Sequence, residues 1–206
     1  MKIILLNGPP HSGKDYAAAT LFQHFAGRYS RKWERFSLPH KVAFAAMVNA
    51  PVTNQPTLNE VKELVGPGIV TGYEDRKSEI IPWLDCSYRQ WQIDFSEKFM
   101  KPLYGQDIFA RLFIERIKVR LHEEGWLCIV SDCGFQIEYD ALIREVDPRN
   151  VLLLRLERED CDFSGDSREY ITAHGNANSV VWNAGDKTFA PLVVRLVEDW
   201  LNGERA

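Results

Sequence analysis

The chain has 206 residues with 25 basic and 29 acidic side chains, a formal charge of −4, and 45% apolar residues of which aromatics make up 12% of the chain. At about 100–200 residues per domain this predicts one domain over residues 1–206, able to bury a core without staples, and it excludes a disordered polymer. The negative total excludes a protein held to polyanions by global charge, and the first apolar run, residues 3–6, is too short for a signal core or for a membrane span of about 18 apolar residues.

A cytoplasmic protein without a membrane partner is therefore expected. Cys86, Cys128, Cys133 and Cys161 form no CxxC pair and predict reduced thiols in or near the core.

In chain order, residues 2–7 are almost continuously apolar and end in Gly8-Pro9-Pro10, the pattern of a strand buried on both faces. Ala17-Ala18-Ala19 with Leu21, Phe22 and Phe25 predict a helix over about 13–25. Residues 35–38 read as a short strand stopped by Pro39, and 40–48 as a helix. Prolines and glycines between 49 and 85 predict a loop-rich excursion with one helix over 58–65, opened by a capping box of Thr57 and Glu60. Ser87 with Gln90 opens a stronger helix in which Trp91, Phe95 and Phe99 recur every four residues. Another helix spans about 107–122, with Leu112, Phe113, Ile117 and Leu121 inward. Strands over 126–130, 151–156 and 180–182 and a helix over 138–144 follow. Phe189, Leu192, Val193, Leu196, Val197, Trp200 and Leu201 mark a final amphipathic helix. Strands alternating with helices predict an α/β fold, a parallel sheet sandwiched by helices.

Gly8-Pro9-Pro10-His11-Ser12-Gly13-Lys14 matches GxxxxGK between a strand and a helix, the setting of a phosphate-binding P-loop. Gly8 and Gly13 let the backbone close round a phosphate, amides at the helix start supply positive charge, and Lys14 reaches the terminal phosphates. The next position, usually a Ser or Thr on magnesium, is Asp15. Asp15 either holds the metal through water, or acts as acid or base toward the acceptor, or is an anion favoured at a helix start. Asp132 follows an apolar strand, as a carboxylate of the Mg²⁺ shell does; capping the next turn is the alternative. Arg155, Arg158 and Arg168 flank the polar segment 157–165. Arg168 is the preferred cation to supplement Lys14 on the moving phosphoryl group, carried on a lid over about 157–168.

The segment GPPHSGKD resembles the GxxxSGKD loop of bacteriophage deoxynucleoside monophosphate kinases and of related phage kinases that phosphorylate hydroxymethyluracil in DNA. The resemblance extends to Phe36-Ser-Leu-Pro-His-Lys41, to SEKFMKPLYGQDIFAR over 96–111, to Ile129-Val-Ser-Asp132 and to Asn183-Ala-Gly-Asp186. It implies a P-loop NTPase fold of the nucleoside-monophosphate-kinase type, with a helical acceptor region over about 36–101 and with ATP and Mg²⁺ as cofactors. On this resemblance the ATP side comprises Gly8, His11, Ser12, Gly13, Lys14, Asp15 and Tyr16. Asn183 lies near the base, where a plain Asn-Ala-Gly-Asp turn explains the residues equally well.

Two acceptors fit, and they need different sites. A free deoxynucleoside monophosphate brings a charged phosphate that needs cations; a hydroxymethyl group in DNA is an alcohol that needs a base and a surface for the polymer. Arg28, Arg31, Lys32 and Arg35 interleave with Tyr29, Trp33 and Phe36, which suits DNA phosphates and an unstacked base, or is a run of solvated charges. Phe36, Lys41, Arg89, Asp94, Lys101 and Arg111 are the acceptor-side candidates, Asp94 as a base. The hydroxymethyl group of 5-hydroxymethyluracil in DNA is narrowly preferred over the free mononucleotide. A nucleotide-binding regulatory or packaging module without transfer chemistry is the third class. The sequence leaves monomer and homodimer open.

Overall fold

Strand β1 (Lys2–Asn7) has every residue after Lys2 buried, which needs cover on both faces of the sheet. That cover accounts for its unbroken apolar run: alternate residues point to opposite faces, so neither set can be polar without a partner. Its loop leads into α1 (Lys14–His24), then the edge strand β2 (Ser30–Glu34) and α2 (Leu38–Asn49). The computed structural model describes residues 1–49, 77–174 and 177–203. The helix expected over 58–65 lies outside the described residues.

From residue 77 a short hairpin, β3 (Ile80–Ile81) and β4 (Cys86–Ser87), precedes α3 (Tyr88–Asp94), a wider π-helical stretch Phe95–Met100, and α4 (Lys101–Tyr104). Helix α5 (Ile108–Ile117), β5 (Trp126–Val130), α6 (Gln136–Glu145), β6 (Val151–Glu157), β7 (Ala177–Trp182) and α7 (Phe189–Leu201) complete the chain. No helix among the described residues is long and apolar enough to cross a membrane.

The chain divides into two units, Met1–Phe36 with Phe109–Ala206, and Ser37–Ile108. The first holds a five-stranded sheet in the order β2-β5-β1-β6-β7, with every pairing parallel. On one face Ile4, Leu6, Leu127, Ile129, Leu152, Leu154, Leu156 and Val181 pack with Ala17, Ala18, Leu21 and Phe25 of α1 and with Phe189, Val193, Val197 and Trp200 of α7. Small Ala17 and Ala18 bring α1 close to the strands. Each Leu or Ile so buried contributes about 1.5–3 kcal/mol. The alternate residues Ile3, Leu5, Cys128, Val130 and Leu153 are equally buried, as are Phe113 and Ile117 of α5 and Tyr139 and Leu142 of α6. All four cysteines are free thiols, Cys128 and Cys133 buried.

The chain runs from β1 to β2 on one side, whereas β5 is followed by β6 on the other side of β1. Connections therefore diverge at the carboxyl end of β1, the place where open parallel sheets leave a crevice for ligands. The second unit has its own small core of Phe44, Ile81 and Tyr88, with Leu84 and Trp91 against it.

Most expected elements are present within a residue or two. The second strand is Ser30–Glu34 rather than 35–38, and the helix expected over about 107–122 ends at Ile117, with a 3-10 turn over Lys118–Arg120 beyond it. The pairing of that strand in register with β5, Ser30 opposite Trp126 and Glu34 opposite Val130, defines it, and an edge strand with one covered face needs no apolar run. Strand β7 is also longer than the expected 180–182. The Ser87 cap is present, its hydroxyl accepting from Gln90 N at 3.1 Å. Beyond it the helix widens at Phe95, with Trp91 and Phe95 stacked at 5.0 Å and Phe95 and Phe99 at 5.6 Å.

Candidate functional site

The loop after β1 folds tightly for reasons that lie in its glycines. A Cβ at Gly8 would stand 2.5 Å from Leu156 O and 2.7 Å from Ser12 Oγ, and Gly13 has φ +99°, with Asn183 Nδ2 only 2.6 Å from where its Cβ would be. His11 also takes a positive φ of 64°. Two hydrogen bonds brace this backbone from outside: Asn183 Nδ2 donates to Ser12 O at 3.0 Å, and Arg158 NH1 donates to His11 O at 3.2 Å. The Ser12 hydroxyl is fully buried yet has no hydrogen-bond partner, a state that costs about 1–3 kcal/mol unless a ligand satisfies it.

Lys14 turns back over the loop, donating to Gly8 O at 2.6 Å and Pro9 O at 2.5 Å. Burial, reinforced by the nearby charge of Arg168, pushes its ammonium down to about 8, against the opposing pull of Asp15, Asp166 and Asp132. These five charged groups thus sense one another around one loop. Three expected partners of Lys14, namely Asp15, Asp132 and Arg168, are among them; Asp166 is an addition.

Consecutive residues at the end of β2 hold the two expected metal carboxylates. Phe36 N donates to Asp132 Oδ1 at 2.8 Å, and Arg35 NH2 pairs with Asp15 Oδ1 at 3.2 Å. Asp15 remains 72% exposed, on the open side of the first turn of α1. Tyr16 follows it, exposed, its ring stacked on Phe189 at 6.2 Å.

Arg168 lies on a strap tied down to the sheet. Asn7, fully buried at the end of β1, donates to Cys133 O at 3.0 Å and Glu169 O at 2.9 Å and accepts from Ile171 N at 3.0 Å. Gln136 exchanges two further bonds with Thr172. The arginine itself is gripped by Asp166, which takes Nε at 2.8 Å and also NH2, and this hydrogen bonding raises the guanidinium above its ordinary range. The arginine expected on a lid over about 157–168 is thus paired with Asp166 in this structure.

The acceptor-side candidates divide. Phe36 is corrected from an acceptor contact to a core residue: its ring is 2% exposed and packs on Phe113 at 4.9 Å, leaving only its backbone amide at the site. Arg111 is exposed on α5. Lys41, Arg89, Asp94 and Lys101 belong to the second unit. Lys41 and Lys101 are buried, with Lys101 Nζ donating to Glu97 Oε1 at 2.5 Å. Asp94 accepts from Lys98 at 2.9 Å and from Gln90 at 2.8 Å. Those bonds hold its carboxyl below the usual range.

The charges of the interleaved patch over residues 28–36 make contacts within the chain, while Arg28 and Lys32 stay 51% and 44% exposed. Arg28 meets Glu198 at 2.8 Å, Lys32 pairs with Glu34, Arg31 donates to Phe22 O, and Arg35 takes Asp15. Tyr29 packs on Phe25, and Trp33 donates to Ser131 Oγ at 2.9 Å. In the final loop Asn183 and Asp186 shape turns, accepting from Gly185 N and Thr188 N. Sequence reading missed Asn7, Asp166 and Gly134, whose Cβ position the Arg168 stem occupies; the signal available for Asp166 was an Asp two residues before an Arg in a turn that follows a glycine.

No protein-family model matches the chain, and no curated protein does. Among solved structures, an unliganded sugar kinase from Janibacter sp. is similar over 98% of this chain and 95% of its own, at 12% identity and a TM-score of 0.49.

Proposed function

We propose that the chain is an ATP-dependent P-loop phosphotransferase acting on a deoxynucleotide, of the kind found in phage nucleotide and DNA metabolism. The observation that carries the reading is the loop itself. Two glycines that admit no side chain, a buried Ser12 hydroxyl without a partner, and Lys14 beside Arg168 form a desolvated cationic cradle at a helix start, fitted to a polyphosphate. Chemistry at such a site is mostly positioning and charge stabilisation.

Among the described residues no group of three His, Cys, Asp or Glu is gathered for a metal ion. Asp132 and Asp15 are the carboxylates that would hold Mg²⁺ together with nucleotide phosphates, the usual mode for that ion. When bound, Mg²⁺ neutralises charge on the phosphates. The chain's own part is to bind the phosphates through the loop amides, Ser12 and Lys14, and to present Arg168 beside them.

Of the two acceptors, internal use of the 28–36 patch and the engaged state of Asp94 favour a free deoxynucleoside monophosphate over a hydroxymethyl pyrimidine in DNA. The test offers γ-labelled ATP and Mg²⁺ with hydroxymethyluracil DNA, unmodified DNA and the free deoxynucleoside monophosphates. Label in a free nucleotide is expected; label in modified DNA alone reverses the acceptor choice; ATP binding without transfer to any acceptor leaves a nucleotide-binding module.

A further inference from the structure

Arg168 is confined along its stem and at one edge of its guanidinium. A Cβ at Gly134 would stand 2.6 Å from Arg168 Cδ, 2.7 Å from Cγ and 3.0 Å from Cβ, so the arginine stem fills the space that any other residue at 134 would need. At the far end the Asp166 carboxylate, itself 9% exposed, grips one edge of the guanidinium with both oxygens, the planar two-pronged match that arginine makes with carboxylates. That grip uses Nε and NH2 and leaves the NH1 side of the fork for a ligand. The same carboxylate accepts from Arg168 N at 3.0 Å, closing a local turn. One side chain therefore does two separable things, shaping the turn and aiming the cation.

We propose that Asp166 is a positioning residue, which fixes the direction of the Arg168 guanidinium before any nucleotide arrives, with Gly134 as the channel that admits the arginine stem. The proposal rests on the reading of the loop as a nucleotide site. Its physical content is preorganisation. Two cations brought together without an anion repel each other, and a long side chain held by nothing loses entropy when it docks. Asp166 offsets the first cost and removes much of the second, so the arginine need not reorganise as charge moves onto the transferred group.

The experiment compares wild type, Asp166→Asn, Asp166→Glu, Arg168→Ala and the double variant Asp166→Asn with Arg168→Ala. It measures kcat and KM for loss of the γ-phosphate from labelled MgATP in the presence of the acceptor panel, together with thermal melting. Asn keeps an oxygen for the backbone turn but weakens the grip on the guanidinium. The expected result is a fall in kcat of about tenfold or more for Asp166→Asn, with little change in KM or melting temperature, partial recovery in Asp166→Glu, and no further loss when Asp166→Asn is added to Arg168→Ala. Wild-type kcat in Asp166→Asn overturns the proposal. So does a loss that tracks a lowered melting temperature, or one that persists undiminished in the Arg168→Ala background. A wild type that neither binds ATP nor releases phosphate overturns the nucleotide-site reading and this one with it, and does so before any variant is compared.

Discussion

Lys14 is the residue on which the proposed chemistry turns, and its surroundings set a pH dependence. Burial and Arg168 place its ammonium near 8 in the free protein, while polyphosphate beside it would raise that value. Below pH 8 the lysine is already charged in both states, so affinity for ATP is flat. Above pH 8 binding must take up a proton, and affinity falls as pH rises, approaching about tenfold per unit. Calorimetric titration of ATP at pH 7, 8 and 9 checks this, and Lys14→Arg should flatten the profile. Lys14→Ala is expected to lower transfer at least about 100-fold with melting little changed, since its partners are loop carbonyls. Near-normal turnover in that variant would sink the central assignment. The lysine itself was legible from spacing alone, because GxxxxGK is local. Phe36 was not, because a phenylalanine after an arginine reads the same whether its ring faces a ligand or, as here, the core.

At the scale of elements, the loop keeps its shape because α1, β6 and the turn after β7 press on it. Gly13→Ala would place a side chain at φ +99°, against Asn183 Nδ2, a conformation that costs about 1–2 kcal/mol before the clash is counted. Asn183→Ala removes the bond to Ser12 O and the turn bond from Gly185 N, for a cost of about 1–3 kcal/mol. Both are expected to weaken ATP binding more than they weaken the fold, which nucleotide titration and thermal unfolding in parallel will separate. Asn183 was legible only as a resemblance or a turn. That its amide braces a backbone 171 residues earlier depends on β7 lying beside β6 in the sheet, which no local pattern states. The edge strand Ser30–Glu34 was missed for a related reason, since hydrogen bonding to β5 rather than its own composition makes it a strand.

At the scale of the molecule, Asn7 joins the end of β1 to the segment after β5 and to the strap after β6 with three hydrogen bonds, two of them fully buried. Asn7→Ala strands those backbone groups. We expect a loss of about 3 kcal/mol and a melting temperature lower by roughly 6–12 °C, together with a lower transfer rate because the strap carries Arg168. Unchanged melting would show that the strap is held without Asn7, by the bonds of Glu169 N to Gly134 O, of Thr172 to Gln136 and of His174 N to Tyr139.

The amino-acid order by itself determined the central strands, the helix that follows the glycine-rich loop, the amphipathic last helix and the GxxxxGK spacing between strand and helix. Each of these is written in an unbroken apolar run, in a periodicity of 3.6 residues or in a seven-residue spacing, so neighbours along the chain suffice. Only the tertiary structure decided that the basic and aromatic run over 28–36 closes on its own ion pairs and rings, that Arg168 is pinned across Gly134, and that Asp15 and Asp132 are held by adjacent residues of β2's end. Those outcomes rest largely on contacts between segments 20 to 170 residues apart or on the direction in which a side chain leaves the backbone; a strong charge or an aromatic ring in the sequence carries neither.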